Sequence, residues 1–132
     1  MKLTRSVSYA VGILLKIQAN KTKKPMTAAK IAKGAKFPPR FLYRVLRRLV
    51  DAGLLEGVAG PGGGYTLARS PREITLLEIV EAVEGFQSTE KLTPAAPRQS
   101  KAIKHINEIV SRNCDRLARD LDRVTLARLS RL

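Results

Sequence analysis

Apolar residues recur at helical spacing from the start of the chain. Val7, Ala10/Val11, Leu14/Leu15 and Ile17 mark one face of a helix over residues 4–20, with Thr4 as its N-cap. A basic polar loop, NKTKKP (20–25), follows. Thr27 is placed to cap a short helix over 28–34 that Gly34 ends. The turn AKFP (35–38) leads to a third helix, with Pro39 in its first turn and Gly53 as terminator. Two short helices joined by a tight turn form a helix-turn-helix pattern.

The period then changes. Residues 54–58 (LLEGV) and 65–68 (YTLA) read as two brief strands flanking the glycine-rich stretch GPGGG (60–64), which makes a wing. Next, ITLLEIVEAVEG (74–85) carries a capping box in Thr75 and Glu78, a staple from Ile74 to Ile79 and a stop at Gly85. Residues 86–100 are polar with two prolines and read as a linker. From 101 to 124, Ile103, Ile106, Val110, Cys114, Leu117, Leu121 and Val124 repeat every three or four residues. Such a helix is roughly 36 Å long, too long to bury its stripe against so small a domain. A homodimer across Ile106, Val110, Cys114, Leu117, Leu121 and Val124 is the economical reading. The expected architecture is mainly α with a small β-wing. A winged helix-turn-helix domain occupies 1–85, a linker 86–100, and a dimerisation helix with a C-terminal tail 101–132.

Charge turns this layout toward function. Of 25 Lys/Arg in 132 residues, 13 lie in residues 1–50, where none of the 11 Asp/Glu falls. The remaining 82 residues carry 12 basic and 11 acidic groups, so almost all of the +14 net charge sits in the first half. That segregation is the footprint expected for a polyanion, with nucleic acid favoured over an anionic membrane surface. No apolar run approaches the ~20 residues of a membrane span. Lys16 and Gln18 interrupt the first apolar stretch, so it reads as an amphipathic helix rather than a signal peptide. The single cysteine excludes an internal disulfide framework and suits a cytoplasmic protein.

On a helical wheel of the third helix, Phe41, Leu42, Val45, Leu46, Leu49 and Val50 share one arc. Arg40, Tyr43, Arg44 and Arg47 take the opposite arc, with Arg48 at its edge. This is the layout of a recognition helix in a major groove. Arg40 and Arg44 are placed to read base edges, Arg47 and Arg48 to meet the backbone. Tyr43 either donates to a phosphate, stacks on a thymine methyl, or shields its neighbours. The alternative for the whole face is a solvated basic surface. The glycine loop lacks the Lys-Ser/Thr of a Walker loop and opens a strand rather than a helix, so it is no nucleotide cradle. Gly62, Gly63 and Gly64 instead suit a wing tip on DNA, or a plain hairpin connection. Arg69 and Thr27 complete the expected DNA-contacting set. His105 reads as a surface histidine. Cys114 reads as a small buried side chain, with a thiol sensor at the dimer seam as the alternative. No nucleophile–base set or metal-spaced cluster is visible, so neither catalysis nor a metal or other cofactor is expected.

These motifs resemble a known family. KLTRSVSYAV, the helix-turn-helix, LRRLVDAGLL, GPGGGYTLARSPREITLLEIVEAVEG and the closing DRVTLARL are similar to bacterial repressors of the IscR/NsrR/CymR type, over almost the whole chain. The resemblance implies a winged helix-turn-helix homodimer on a partly palindromic operator. Two departures qualify it. Cluster-binding members carry three cysteines after the E-G, where this chain has FQSTEKLTPAAPRQS, and one thiol cannot hold a cysteine-ligated iron–sulfur cluster. Relatives often place a basic residue before GPGGG, where this chain has Ala59, so a minor-groove arginine cannot be carried over.

The expectation is a cytoplasmic, double-stranded-DNA-binding transcriptional repressor, homodimeric and cluster-free, with an effector of unspecified kind and no membrane contact. Two rivals stay open. One is a regulator whose DNA binding is set by complex formation with a metabolic enzyme or by a thiol at the dimer seam. The other is an RNA-binding basic protein.

Overall fold

The computed structural model describes residues 4–85 and 101–132; the expected linker, 86–100, lies outside them. Six helices and two strands follow in the order α1 (Arg5–Gln18), α2 (Ala28–Ala32), α3 (Pro39–Asp51), β1 (Leu55–Val58), β2 (Gly64–Leu67), α4 (Leu76–Glu84), α5 (Lys101–Asp122) and α6 (Leu126–Leu129). The fold is mainly helical with one small antiparallel sheet, in which Leu55 pairs with Leu67 and Val58 with Gly64.

One aliphatic core holds these elements together. Ile13 and Leu14 of α1, Ile31 of α2, Leu46 and Leu49 of α3, Leu54, Leu55, Ile74 and Ile79 are fully buried in it, and no polar residue among those described is. Burying each such side chain contributes about 1.5–3 kcal/mol. The α3 arc read from the wheel is the arc that is buried: Leu42, Val45, Leu46 and Leu49 face inward, with Phe41 and Val50 half-buried.

Local chemistry sets the element ends. The Thr75–Glu78 capping box closes in both directions, and Gly85 ends α4 in left-handed backbone at φ +64°. Thr27 caps α2, its hydroxyl accepting from the Lys30 amide at 3.3 Å. Two expectations are corrected. Thr4 occupies the N-cap position of α1 without capping it; its hydroxyl donates to Glu84 Oε1 on α4. The second helix stops at Ala32, because Lys33 is already extended and Gly34 lies in the turn beyond it.

Two further pairings extend the expected layout. Met26 forms a bridge beside β2, its amide donating to the Tyr65 carbonyl at 3.0 Å and its carbonyl accepting from the Tyr65 amide at 2.9 Å. The C-terminal tail contains α6, capped by Thr125, with Leu126 buried in the same core as residues of the first 85. Backbone bonds from Leu76 N to Val124 O (2.7 Å) and from Leu126 N to Ile74 O (2.8 Å) anchor the end of α5 to the start of α4.

Candidate nucleic-acid interface

Arg40, Tyr43, Arg44 and Arg47 follow the i, i+3, i+4, i+7 spacing of one helix face, and all four are exposed, Tyr43 at 58%. The opposite face is locked into the core, which sets how this basic face points. Pro38, the N-cap residue, accepts the amides of Phe41 and Leu42 at 3.0 Å and so starts the helix ahead of the arginines.

Two supports hold the helix-turn-helix that sequence reasoning missed. Tyr9 of α1 meets the rings of Phe37 in the turn and Phe41 in α3 edge-on, at 4.7 and 5.1 Å between centroids. Such pairs contribute about 0.5–1.5 kcal/mol beyond burial, here at the N-terminal end of α3. Lys16 sends its ammonium across from α1 to the carbonyls of Ile31 (3.0 Å) and Lys33. It thereby satisfies two orphan acceptors at the end of α2 with a favourably placed cation. A lysine inside an apolar helix stripe and three aromatics within 33 residues were the available signals.

The five α3 and wing-exit arginines divide into distinct states. Arg40 is exposed. Arg44 lies over the Phe41 ring, its guanidinium carbon 4.9 Å from the centroid, which restricts its plane. Arg47 pairs with Asp51 at 3.9 Å, but both side chains are more than two-thirds exposed, so water screens the contact. The other two are committed inside the chain. Arg48 Nη1 donates to the Val83 carbonyl on α4. Arg69 Nη2 donates to Glu78 Oε1 at 2.7 Å. Burial would raise the Glu78 carboxyl's pKa, but the bond from the Thr75 amide and the Arg69 guanidinium outweigh it, and the net shift is downward. Arg48 and Arg69, expected as DNA-backbone contacts, thus each hold a bond to α4 within the chain.

The wing glycines also separate. Gly62 is exposed at the tip with φ +75°. Gly63 has no room for a side chain: a Cβ there would lie 2.2 Å from the Val58 carbonyl oxygen. Gly64 stands at φ +144°, where a Cβ would meet the Met26 carbonyl oxygen at 2.5 Å. Packing alone thus demands two of the three. Between Leu55 and Gly64 the wing carries no cation and one exposed acid, Glu56.

On α5 none of the 22 residues is buried within the chain. Ile106 and Val110 are 44% and 43% exposed, and Ile109, absent from the expected stripe, is 40% exposed. Cys114 and Leu117 are half-buried. Two members of the expected dimer stripe also have partners within the chain. Leu121 packs against the core of its own chain, and Val124 lies past the helix end, bonded to α4 through its carbonyl. His105 is exposed.

The family model for Rrf2, described as an iron-dependent transcriptional regulator, matches residues 3–131. The chain belongs to the Rrf2 family. Among its relatives, YwgB of Bacillus subtilis is 34% identical over 85 residues, 64% of this chain and 54% of that one. IscR of Photorhabdus laumondii, an HTH-type transcriptional regulator, is 33% identical over 84 residues, 64% of this chain and 51% of that one. These matches span about half the length of such relatives. The fold also matches that of CymR, the global cysteine regulator of B. subtilis, with a TM-score of 0.73 at 24% identity, covering 98% of this chain and 96% of that one. The Rrf2 family consists of transcriptional regulators and not enzymes. The iron in its description does not fit the donors of this chain. The sequence holds one cysteine and one histidine, and no group of three His, Cys, Asp or Glu among the described residues is placed to hold a metal ion. Cysteine-ligated clusters need several thiolates. No described helix is long and apolar enough to cross a membrane.

Proposed function

We propose that this Rrf2-family chain is a sequence-specific, double-stranded-DNA-binding repressor that acts in the cytoplasm as a homodimer, without an iron–sulfur cluster. The observation that carries the reading is the α3 face. Arg40, Tyr43 and Arg44 project from a helix whose other side is buried, and none is paired with an acid among the described residues. Arg40 and Arg44 read base edges near the N-terminal end of the helix, while Arg47 and Tyr43 meet phosphates. The cation-free wing lies along the backbone around Gly62 and reads no base in the minor groove.

Dimerisation through the exposed Ile106, Ile109 and Val110 stripe of α5 pairs two recognition helices, which suits a partly palindromic operator with half-sites about one helical turn apart. Cys114 and Leu117 continue that stripe toward the domain.

Genome-fragment binding with the purified chain, followed by a titration on the recovered sequence, tests the reading. With ~6–10 phosphates neutralised, affinity falls ~10³–10⁵-fold between ~50 and ~200 mM salt. A flat salt response, or equal affinity for structured RNA, would sink it. Anaerobically purified protein is colourless; a brown protein containing stoichiometric sulfide would contradict the cluster-free assignment.

A further inference from the structure

Arg40 and Arg44 share the exposed face of α3, yet they are held differently. Among the described residues, Arg44 and not Arg40 has its guanidinium over a ring. Its guanidinium carbon lies 4.9 Å from the centroid of Phe41, a half-buried residue packed against the core. The ring is itself fixed from behind. Tyr9 of α1 meets Phe41 at 5.1 Å between centroids with the planes 77° apart, and meets Phe37 at 4.7 Å with the planes 86° apart. The neighbour of Tyr9 along the helix, Ala10, is fully buried, so α1 gives this aromatic set a rigid base. A continuous line of contacts therefore runs from α1 through two rings to one arginine on the surface.

That line has a chemical consequence. The face of an aromatic ring attracts a cation, and a guanidinium resting on one is restricted in its orientation. A long side chain loses rotamer freedom when it is ordered on binding, and one already resting on a platform loses less. Guanine rewards such a preset group most. Its O6 and N7 accept two N–H groups at once, which requires the guanidinium fork to meet the base edge in one orientation.

On the double-stranded-DNA reading of α3, on which this rests, we infer that Arg44 reads a guanine and that Phe41 is its positioning residue, with Tyr9 holding the Phe41 ring. Phe41 touches no base in this role. It acts through Arg44 and sets discrimination at a single base pair of each half-site. Arg40 reads its own base independently of the rings.

The test selects duplexes from a pool randomised over two half-sites, using the full-length native protein and its variants, and then titrates the selected duplex by anisotropy. Arg44→Ala is expected to erase a guanine at one position of each half-site, reducing discrimination there by about 5- to 150-fold. Phe41→Leu, which keeps an apolar side chain but removes the ring, reduces discrimination at that same position by about two- to tenfold. It leaves the other positions and the salt slope unchanged. Phe41→Tyr restores the preference, and Phe41→Leu adds nothing in an Arg44→Ala background. Phe41→Met is measured alongside as a second ring-free variant, with circular dichroism to establish that each is folded. A packing defect alone would weaken native and guanine-substituted duplexes equally, so the ratio of the two affinities separates positioning from stability. The positioning role is overturned if folded ring-free variants keep full discrimination at the Arg44 position, or lose it equally at every position. It is also overturned if Arg44→Ala changes the preference for a base other than guanine. A native protein that selects no sequence from the pool overturns the DNA-binding reading itself, and this inference with it.

Discussion

Arg69 and Glu78 are joined by a 2.7 Å ion pair that ties the exit of the wing to the first turn of α4. The same carboxylate closes the capping box, its other oxygen accepting from the Thr75 amide at 3.0 Å. One side chain therefore serves both the wing and the helix that buries Ile79, Val80 and Val83.

This junction makes stability depend on pH. The folded-state pKa of Glu78 is depressed below its ordinary 4.5. Its stabilising contribution is therefore present above the unfolded-state pKa and is lost as pH falls through the folded one. The urea midpoint of the native chain should decline on acidification below about 4.5, and that of Glu78→Gln should decline less. Parallel pH profiles for the two proteins would remove Glu78 from the account. At neutral pH, Thr75→Ala should cost about 0.5–2 kcal/mol through loss of the cap.

The arginines should separate by phenotype. Arg40→Ala and Arg44→Ala relax base preference, each by about 1–3 kcal/mol at the base it reads, and Arg47→Ala lowers the salt slope by about one without changing preference. Arg48→Ala and Arg69→Ala instead lower the melting temperature, since their partners are Val83 and Glu78. Anisotropy titrations across salt and operator variants, alongside thermal melts, sort the five. An Arg48 variant with native stability and a reduced salt slope would return that residue to the DNA.

The glycines should not be equivalent. Gly64→Ala combines an adverse φ with a collision against the Met26 carbonyl, and should cost about 1–3 kcal/mol or more as the bridge to Tyr65 opens. Gly63→Val should disrupt the wing and weaken DNA binding while sedimentation still reports a dimer. Gly62→Ala meets only its positive φ, with no atom within 4 Å of the added carbon, and should be the mildest of the three. Equal losses at all three positions would contradict this order.

Ile106→Asp and Val110→Asp place a charge on the exposed stripe of α5 while leaving the core intact. The variants should remain folded by circular dichroism, sediment as monomers, and bind a two-half-site duplex at least tenfold more weakly, reflecting lost effective concentration. A folded variant that stays dimeric would move the interface away from this face.

Local pattern carried most of the architecture. The 3.6-residue period of α3, the T-x-x-E box before α4 and the glycine stops at Gly53 and Gly85 are short-range devices, and a linear chain displays them openly. The separation of Arg40, Tyr43, Arg44 and Arg47 from Leu42, Val45, Leu46 and Leu49 follows from the same period. So does the basic character of the first 50 residues, because charge is counted without coordinates.

What the sequence by itself determined, then, was the order of elements, the polar and apolar faces of each helix, and the charge that points to a polyanion. The tertiary structure alone decided which of those charges are free. Arg48 meets a carbonyl 35 residues away and Lys16 one 15 residues away; Leu126 joins a core built from the other end of the chain. Periodicity reports which side of a helix avoids water. It carries no information on which distant carbonyl or carboxylate waits there, because that depends on how the elements pack.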